Sequence, residues 1–502
     1  MTTIEFKNLT FGFDTQASYL FDQTRLVLQS EWQLGLVGRN GRGKTTLLRL
    51  LMGDYHYKGK IEHQLDFIYF PQKVTDKTKL TYDVLQDLSH FELWKIEKEI
   101  TLLNMNLDSL WRPFESLSGG EQTKILLALL FVDDQHYPLI DEPTNHLDAT
   151  SRQQVARYLH DKQQGFIVVS HDQLFIDQVV DHVLAIEKSQ LVLYQSDFST
   201  YLEQKQQRDQ FESAQNEKLK KEITRLKQTA VQKAEWSRGR ERDKLGSPNQ
   251  PGSGAIFDTG AIGARSARMM KRSQTMMKRM RQQANEKAQL LKDVEYVKSL
   301  HMNVKPSHRQ KILTVEHLQL SYNNQPLFDP ISFEIQKGQR LAIQGSNGSG
   351  KSSIIQYLFD AFHGEATGIT SRLQGLAVSY LSQDYDNNQG TLREFADQHA
   401  LNYSDFLNNL WQLGVERQVF QNRIEDMSMG QRKRVALAQS LVTPAELFIW
   451  DEPLNYLDIF NQQQLEAVIQ KIQPTMLIIE HDRHFLKNVA TKTLTLSLNN
   501  GK

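Results

Sequence analysis

One pattern constrains this chain of 502 residues more than any other: an ordered set of short motifs that occurs twice, about 310 residues apart. Its first member is Gly38-Arg39-Asn40-Gly41-Arg42-Gly43-Lys44-Thr45-Thr46, which follows the apolar run Leu34-Gly35-Leu36-Val37 and continues into Leu47-Leu48-Arg49-Leu50-Leu51. Gly-x-x-x-x-Gly-Lys-Thr between a strand and a helix predicts a loop whose backbone N–H groups close around phosphate oxygens, with the positive end of the helix behind them. Lys44 is then placed for β- and γ-phosphates and the Thr45 hydroxyl for Mg²⁺. The second copy, Gly345-Ser346-Asn347-Gly348-Ser349-Gly350-Lys351-Ser352-Ser353, follows Leu341-Ala342-Ile343. Phe70-Pro71-Gln72 recurs as Leu381-Ser382-Gln383, and Leu117-Ser118-Gly119-Gly120-Glu121-Gln122 as Met427-Ser428-Met429-Gly430-Gln431-Arg432. Leu139-Ile140-Asp141-Glu142-Pro143 recurs as Ile449-Trp450-Asp451-Glu452-Pro453, and Val169-Ser170-His171-Asp172 as Ile479-Glu480-His481-Asp482. A long-period set counted twice predicts a tandem domain duplication rather than a solenoid.

The length allows two to four domains with ample core. The chain has no cysteine, which excludes disulfides, thiolate metal sites and a cysteine nucleophile. The N-terminus runs directly into the alternating strand pattern Ile4-Glu5-Phe6-Lys7-Asn8-Leu9-Thr10, without the pattern of a signal peptide. The longest apolar run, residues 125–132, is too short to span a bilayer. A cytoplasmic protein with no stable membrane partner is the expectation.

The stretch between the repeats belongs to neither. Residues 198–296 carry 21 Lys and Arg against 12 Asp and Glu, in a chain whose formal net charge is zero. A basic segment between acidic bodies is a local polyanion-binding signal that the whole-chain charge hides. Residues 201–244 are rich in Gln, Glu, Lys and Ala and predict a helix, with Phe211, Leu219, Ile223, Leu226 and Ala230 marking one face. Met277, Met280, Ala284, Leu291 and Val294 mark a second helix. Together they predict an antiparallel hairpin with arms of roughly 65 Å and 50 Å. Its tip, near 245–263, begins with Gly and Pro residues that cannot continue a helix and then exposes Ile256, Phe257 and Ile262. The tip can tuck back onto the hairpin or meet a partner. The run 265–281 holds seven basic residues and no acid, which favours polyanion binding over a mere spacer.

With these motifs in order, the chain resembles the ATP-binding-cassette (ABC) nucleotide domain, present twice. The expected fold class is α/β: two tandem ABC-type P-loop ATPase domains, 1–197 and 298–502, joined by a helical-hairpin linker at 198–297. Two cassettes on one chain with a basic helical linker resemble the ABC-F group of translation factors. Gly38-Arg39-Asn40-Gly41-Arg42-Gly43-Lys44, Trp111-Arg112-Pro113-Phe114, residues 252–260 and Met427-Ser428-Met429-Gly430-Gln431 are most similar to its antibiotic-resistance, ribosome-protection branch, the Lsa-like proteins.

The resemblance implies two ATP molecules between facing cassettes. One site combines Gly38, Asn40, Gly41, Gly43, Lys44, Thr45, Thr46, Gln72, Asp141, Glu142 and His171 with Ser428 and Gly430 from the second half. The other combines Gly345, Asn347, Gly348, Gly350, Lys351, Ser352, Ser353, Gln383, Asp451, Glu452 and His481 with Ser118, Gly119 and Gly120. Thr45, Gln72, Asp141, Ser352, Gln383 and Asp451 would hold Mg²⁺. Glu142 and Glu452 would orient or deprotonate the attacking water, with Gln72, Gln383, His171 and His481 completing the catalytic sets. Phe13 and Tyr322 lie where the family stacks an aromatic on adenine. The second signature departs from the first, with Met429 where the first has Gly119, so the Lys44 site is expected to be the slower.

The leading functional expectation is an ATPase, monomeric off the ribosome, that binds the exit site of the 70S ribosome. Its linker would reach 23S rRNA near the peptidyl-transferase centre and P-site tRNA, displacing lincosamides, streptogramin A and pleuromutilins. Lys244, Phe257, Arg265, Arg268, Lys271 and Arg272 are the expected contacts. A housekeeping factor for stalled ribosomes and a soluble subunit of a drug exporter remain as alternatives. A coiled-coil DNA-repair ATPase fits poorly, because there the phosphate loop and the Asp-Glu strand lie on opposite sides of the coil.

Overall fold

The computed structural model describes residues 2–13, 19–133, 135–145, 147–242, 271, 275–276, 278–280, 282, 299–346, 348–370, 375–383, 385 and 388–497. The N-terminal alternation forms β1 (Thr3–Phe11), which pairs antiparallel with β2 (Phe21–Gln29) and β4 (Lys58–Glu62). Its buried residues Ile4, Phe6, Leu9 and Phe11 point to the core while the residues between them are more exposed, as a half-buried strand requires. Behind this small sheet lies the main one. Its members are β3 (Gln33–Val37), β5 (Asp66–Phe70), β6 (His136–Asp141), β7 (Phe166–Val169), β8 (His182–Glu187) and β9 (Gln190–Tyr194). The order is β5-β6-β7-β3-β8-β9, and all pairs are parallel except β8–β9. β7 is buried at all four positions, the continuous apolar character expected of a parallel strand covered on both faces.

The helices of the first cassette are α1 (Lys44–Leu51), α2 (Thr81–Leu88), α3 (Leu93–Leu102), α4 (Gly119–Leu129), α5 (Ala149–His160) and α6 (Gln173–Val179). α1 starts directly from the phosphate loop. Gly41 at φ 81° and Gly43 at φ 95° take the left-handed backbone that brings successive N–H groups to one side. The linker helix α7 spans Phe198–Arg242.

The second cassette repeats the plan. β10 (Lys311–Tyr322), β11 (Gln325–Pro326), β12 (Ile331–Gln336) and β14 (Glu365–Thr370) form the antiparallel sheet. β13 (Arg340–Gln344), β15 (Val378–Leu381), β16 (Leu447–Asp451), β17 (Met476–Ile479) and β18 (Lys492–Thr495) form the parallel one, ordered β15-β16-β17-β13-β18. Its helices are α8 (Lys351–Leu358), α9 (Leu392–Gln398), α10 (Tyr403–Gln412), α11 (Met429–Val442), α12 (Ile459–Ile472) and α13 (Arg483–Val489). In each copy the phosphate loop leaves β3 or β13 between two parallel neighbours, the place where open α/β sheets bind ligands.

The chain forms two compact units, Met1–Tyr201 with Val297–Lys502, and Leu202–Tyr296. Both cassettes thus share one unit. In the other, the helix expected over 201–244 is present as α7. Beyond Tyr201 its buried residues, among those described, are Lys205, Asn216 and Ile223, with Leu219 and Leu226 half-buried, so that 216, 219, 223 and 226 follow a 3–4 spacing. Phe211, expected on that face, is instead 63% exposed. It falls one position out of the 3–4 register, and a polar residue, Asn216, takes the place of an apolar one. Lys271, Thr275, Met276, Lys278, Arg279, Met280 and Gln282 are helical, so part of the expected second helix is present. Among the described residues no helix is long and apolar enough to cross a membrane.

Candidate functional site

In the first phosphate loop the Lys44 ammonium folds back, donating to the Gly38 carbonyl at 2.8 Å and to Asn40 Oδ1 at 3.1 Å. Burial lowers its pKa from the ordinary lysine value. Lys351 does the same in the second loop, donating to Gly345 O at 3.0 Å and Ser346 O at 2.8 Å. Both ammonium groups are held over their own loop, ready for an anion cradled there. Gly348 and Gly350 repeat the left-handed geometry, at φ 78° and 84°. Thr46 and Ser353 follow in the first turns of α1 and α8. Asn347 lies outside the described residues.

The Asp-Glu pairs sit at the ends of β6 and β16. Thr45 Oγ1 donates to Asp141 Oδ2 at 2.7 Å, and Ser352 Oγ donates to Asp451 Oδ2 at 3.1 Å. Tyr69, which no motif singled out, also donates to Asp141, at 2.9 Å. Glu142 and Glu452 both adopt positive φ, 54° and 48°. A left-handed non-glycine residue costs about 1–2 kcal/mol and persists only where its surroundings hold it. Here the next parallel strand does so: the Glu142 amide donates to Val169 O at 2.8 Å, and the Glu452 amide to Ile479 O at 2.9 Å.

The two carboxylates are nonetheless held differently. Glu452 Oε2 accepts from Gln383 Nε2 at 2.9 Å and from Asn455 Nδ2 at 2.6 Å, with His481 Nε2 3.9 Å from Oε1. Glu142 Oε1 lies 3.1 Å from His171 Nε2 but is buried without a well-directed hydrogen bond. Gln72 points elsewhere, its Nε2 donating to Leu126 O at 3.4 Å. Burial, reinforced by the Asp141 charge, raises the Glu142 carboxyl to about 8. Burial and the nearby lysine charges lower His171 to about 3 and His481 to about 4. Both rings are therefore neutral at pH 7, with one nitrogen donor available.

The signature residues open helices. Ser118 caps α4 in a reciprocal capping box with Glu121, and Ser428 caps α11 in the same way with Gln431. The amides of Gly119 and Gly120, and of Met429 and Gly430, lie in the first turns, where intrahelical acceptors are missing. Met429 itself is 45% exposed. A cavity of about 790 Å³ brings Ser118, Gly119 and Gly120 of the first cassette opposite Lys351, Ser352, Ser353, Gln383, Glu452 and His481 of the second. Tyr322 lines it as well. That side chain is half-exposed beside Phe362, at 5.0 Å between ring centres. Phe13 is similarly exposed, set edge-on to Phe11 and Tyr55 at 5.2 and 5.8 Å. Neither ring belongs to the core. At the first phosphate loop the opposing cassette supplies Tyr456 and Asp458: Asn40 Nδ2 donates to Tyr456 O at 3.1 Å and the Asn40 amide to Asp458 Oδ2 at 2.7 Å.

Two phosphate loops, each followed by an Asp-Glu strand end and one facing a foreign signature helix, make a nucleotide-hydrolysing pair. The family described as ABC transporter matches residues 21–145 and again 328–455, just over half of the chain. The chain belongs to the ABC transporter family. It carries two tandem ABC domains and is an ATPase. Over 98% of its length it is 26% identical to "Ribosome protection protein VmlR" of Bacillus subtilis, covering 86% of that protein. It is 28% identical to "Energy-dependent translational throttle protein EttA" of Escherichia coli K12, over 92% of this chain and 86% of the relative. ABC domains of this chain are thus homologous to those of ABC-F proteins. Among solved structures, archaeal ribosome recycling factor aABCE1, crystallised with stalk protein aP1, shares the fold. Its TM-score is 0.63 at 19% identity, over 97% of this chain and 87% of that one.

Of the expected linker contacts, Lys271 is helical and exposed. Lys244, Phe257, Arg265, Arg268 and Arg272 lie outside the described residues. Asn455 and Asp458 lie inside the repeated segment, matching Asn145 and Asp148 three and six residues after the catalytic Glu, and that recurrence was the signal available for them. Tyr69 has none beyond its place three residues before Gln72.

Proposed function

We propose that this chain is a ribosome-binding ABC-F ATPase that protects the peptidyl-transferase centre from lincosamides, streptogramin A and pleuromutilins. The observation that carries the reading is the shared cavity, in which one cassette's signature faces the other's phosphate loop. ATP bound there touches both cassettes, so its binding and hydrolysis set how tightly they close. Segment 198–296, the basic one, lies between the two halves of that switch along the chain. The names of these relatives, a ribosome protection protein and a translational throttle protein, support a partner in translation over an exporter.

In this reading Glu142 and Glu452 orient water toward the γ-phosphate, and neutral His171 and His481 donate to it. The residues present fit Mg²⁺. Asp451 Oδ1 is buried without a hydrogen-bond partner, and burial together with the Glu452 charge raises the Asp451 carboxyl to about 6, as befits a carboxylate short of a counter-cation. Thr45, Gln72 and Asp141, and Ser352, Gln383 and Asp451, would hold the ion, which when bound neutralises charge on β- and γ-oxygens. Phe13 and Tyr322, both part-exposed, are the rings that would stack on adenine. The linker residues Lys244, Phe257, Arg265, Arg268, Lys271 and Arg272 reach rRNA and tRNA.

The test is drug susceptibility of a host with and without the gene, paired with co-sedimentation of the E142Q/E452Q protein with ribosomes and ATP. Protection against the three drug classes and ribosome-bound protein are expected. Sedimentation with ribosomes but no protection supports a housekeeping factor, and recovery with membranes overturns the reading.

A further inference from the structure

We infer that Lys433 is a positioning residue for Glu452, tying the signature helix that serves one ATP site to the water-orienting glutamate of the other. Lys433 lies on α11, five residues beyond the signature Ser428. It is 1% exposed, although lysines are almost never fully buried without a partner. Its ammonium donates to the backbone carbonyl of Glu452 at 2.9 Å and lies 5.5 Å from the centre of the Tyr385 ring. Glu452 is a residue whose left-handed backbone needs to be held, and its peptide is thereby fixed from both ends: amide to Ile479 O, carbonyl to Lys433. The charges of Glu480, Asp451 and Glu452 surround the same ammonium.

The first cassette lacks the device. Thr123 stands at the matching position, and its hydroxyl donates to Gly119 O, within its own helix. The Glu142 carbonyl instead accepts the Asn145 amide at 3.3 Å. α11 therefore has two tasks. In the proposed closed pair its N-terminus would present Ser428 and Gly430 to the site built on Lys44, while Lys433 reaches back to the Glu452 carbonyl in the site built on Lys351. Movement of α11 as the first site closes is carried to the Glu452 carbonyl through one hydrogen bond.

The inference rests on Glu452 being the water-orienting base, and it is independent of any ribosome. Lys433→Met keeps the apolar stem and removes the donor; Lys433→Arg restores one. Each is placed in the E142Q and the E452Q backgrounds, and single-turnover phosphate release is measured. In the E142Q background, where Glu452 does the work, K433M is expected to lower the rate roughly tenfold at unchanged ATP affinity, the scale of a lost charged hydrogen bond. In the E452Q background it is expected to change little, and K433R to recover most of the loss. A drop confined to the E452Q background, or equal in both, is what a merely damaged α11 produces, and it overturns the proposal. Hydrogen exchange of the Glu452 amide reports on Lys433 without any turnover: it should speed up in K433M and not in K433R, and an unchanged rate in K433M also overturns it.

Discussion

The carboxylate of Asp458, on the second cassette, accepts the Asn40 amide of the first phosphate loop at 2.7 Å across the cassette interface. Its other oxygen caps α12 through the Asn461 amide at 2.9 Å, and the Arg434 guanidinium lies 3.9 Å away. An acid thus sits against a loop built for anions, beside Lys44. Burial alone would raise its pKa, but the charges of Arg434 and Lys44 outweigh burial and hold it below the ordinary aspartate value of 3.8.

Asp458→Ala should therefore destabilise the nucleotide-free protein by about 3 kcal/mol, because it removes a helix cap and leaves Arg434 buried without its counter-charge. Thermal unfolding at pH 7 checks this. The contribution is present above the unfolded pKa of 3.8 and is lost as pH falls through the lower folded value, so wild type and variant should converge only in strong acid. A gap that closes already near pH 6 would show that the ion pair is not its source.

The two sites should turn over unequally. Glu452 is held by Gln383 and Asn455, whereas the Glu142 carboxylate has no matching contact, its Oε1 buried without a hydrogen bond and Gln72 turned to Leu126 O. Glu452→Gln alone should remove more ATPase activity than Glu142→Gln alone, and the double variant should bind ATP while hydrolysing it at least about a hundredfold more slowly. Steady-state phosphate release decides the order; equal single-variant losses would refute the asymmetry.

Glu142 gives a pH signature. Its carboxyl is raised to about 8 from 4.5, by burial first and then by Asp141. The folded protein holds this proton more tightly than the unfolded chain, so the stabilisation is full below 4.5 and is lost as pH rises through 8. Glutamine cannot lose the proton. Without nucleotide, E142Q should gain on wild type between those limits, by up to about 4–5 kcal/mol at the upper end. Denaturant midpoints at pH 5 and pH 8.5 measure it, and a constant difference would count against the shift.

Replacing Arg265, Arg268, Lys271 and Arg272 with Gln should weaken ribosome binding and flatten its salt dependence, by roughly 0.7–0.9 in log–log slope for each phosphate that is no longer neutralised. Binding across a salt series is the readout. Unchanged affinity would return the linker to a solvated spacer. Phe257→Ala, scored for protection against each drug, separates a tip that acts on the drug site from one that packs within the hairpin.

Sequence by itself determined the duplicated α/β architecture, the two phosphate loops and the strand-end carboxylates. These are local instructions: glycines that permit a left-handed turn, a lysine at the helix start that follows, an apolar strand that must be buried. The linker helix was equally legible, since its residue types favour helix regardless of surroundings. Tertiary structure decided what no local rule encodes. Asn216 rather than Phe211 occupies the covered face of α7, because register depends on what the helix meets. Asp458 lies 418 residues from the amide it holds, and Lys433 reaches a carbonyl at the end of a strand. Two sites written with nearly the same motifs therefore hold their glutamates differently. Hydrogen bonds and buried charges act over a few ångströms in space, and the distance along the chain does not reveal which groups come that close.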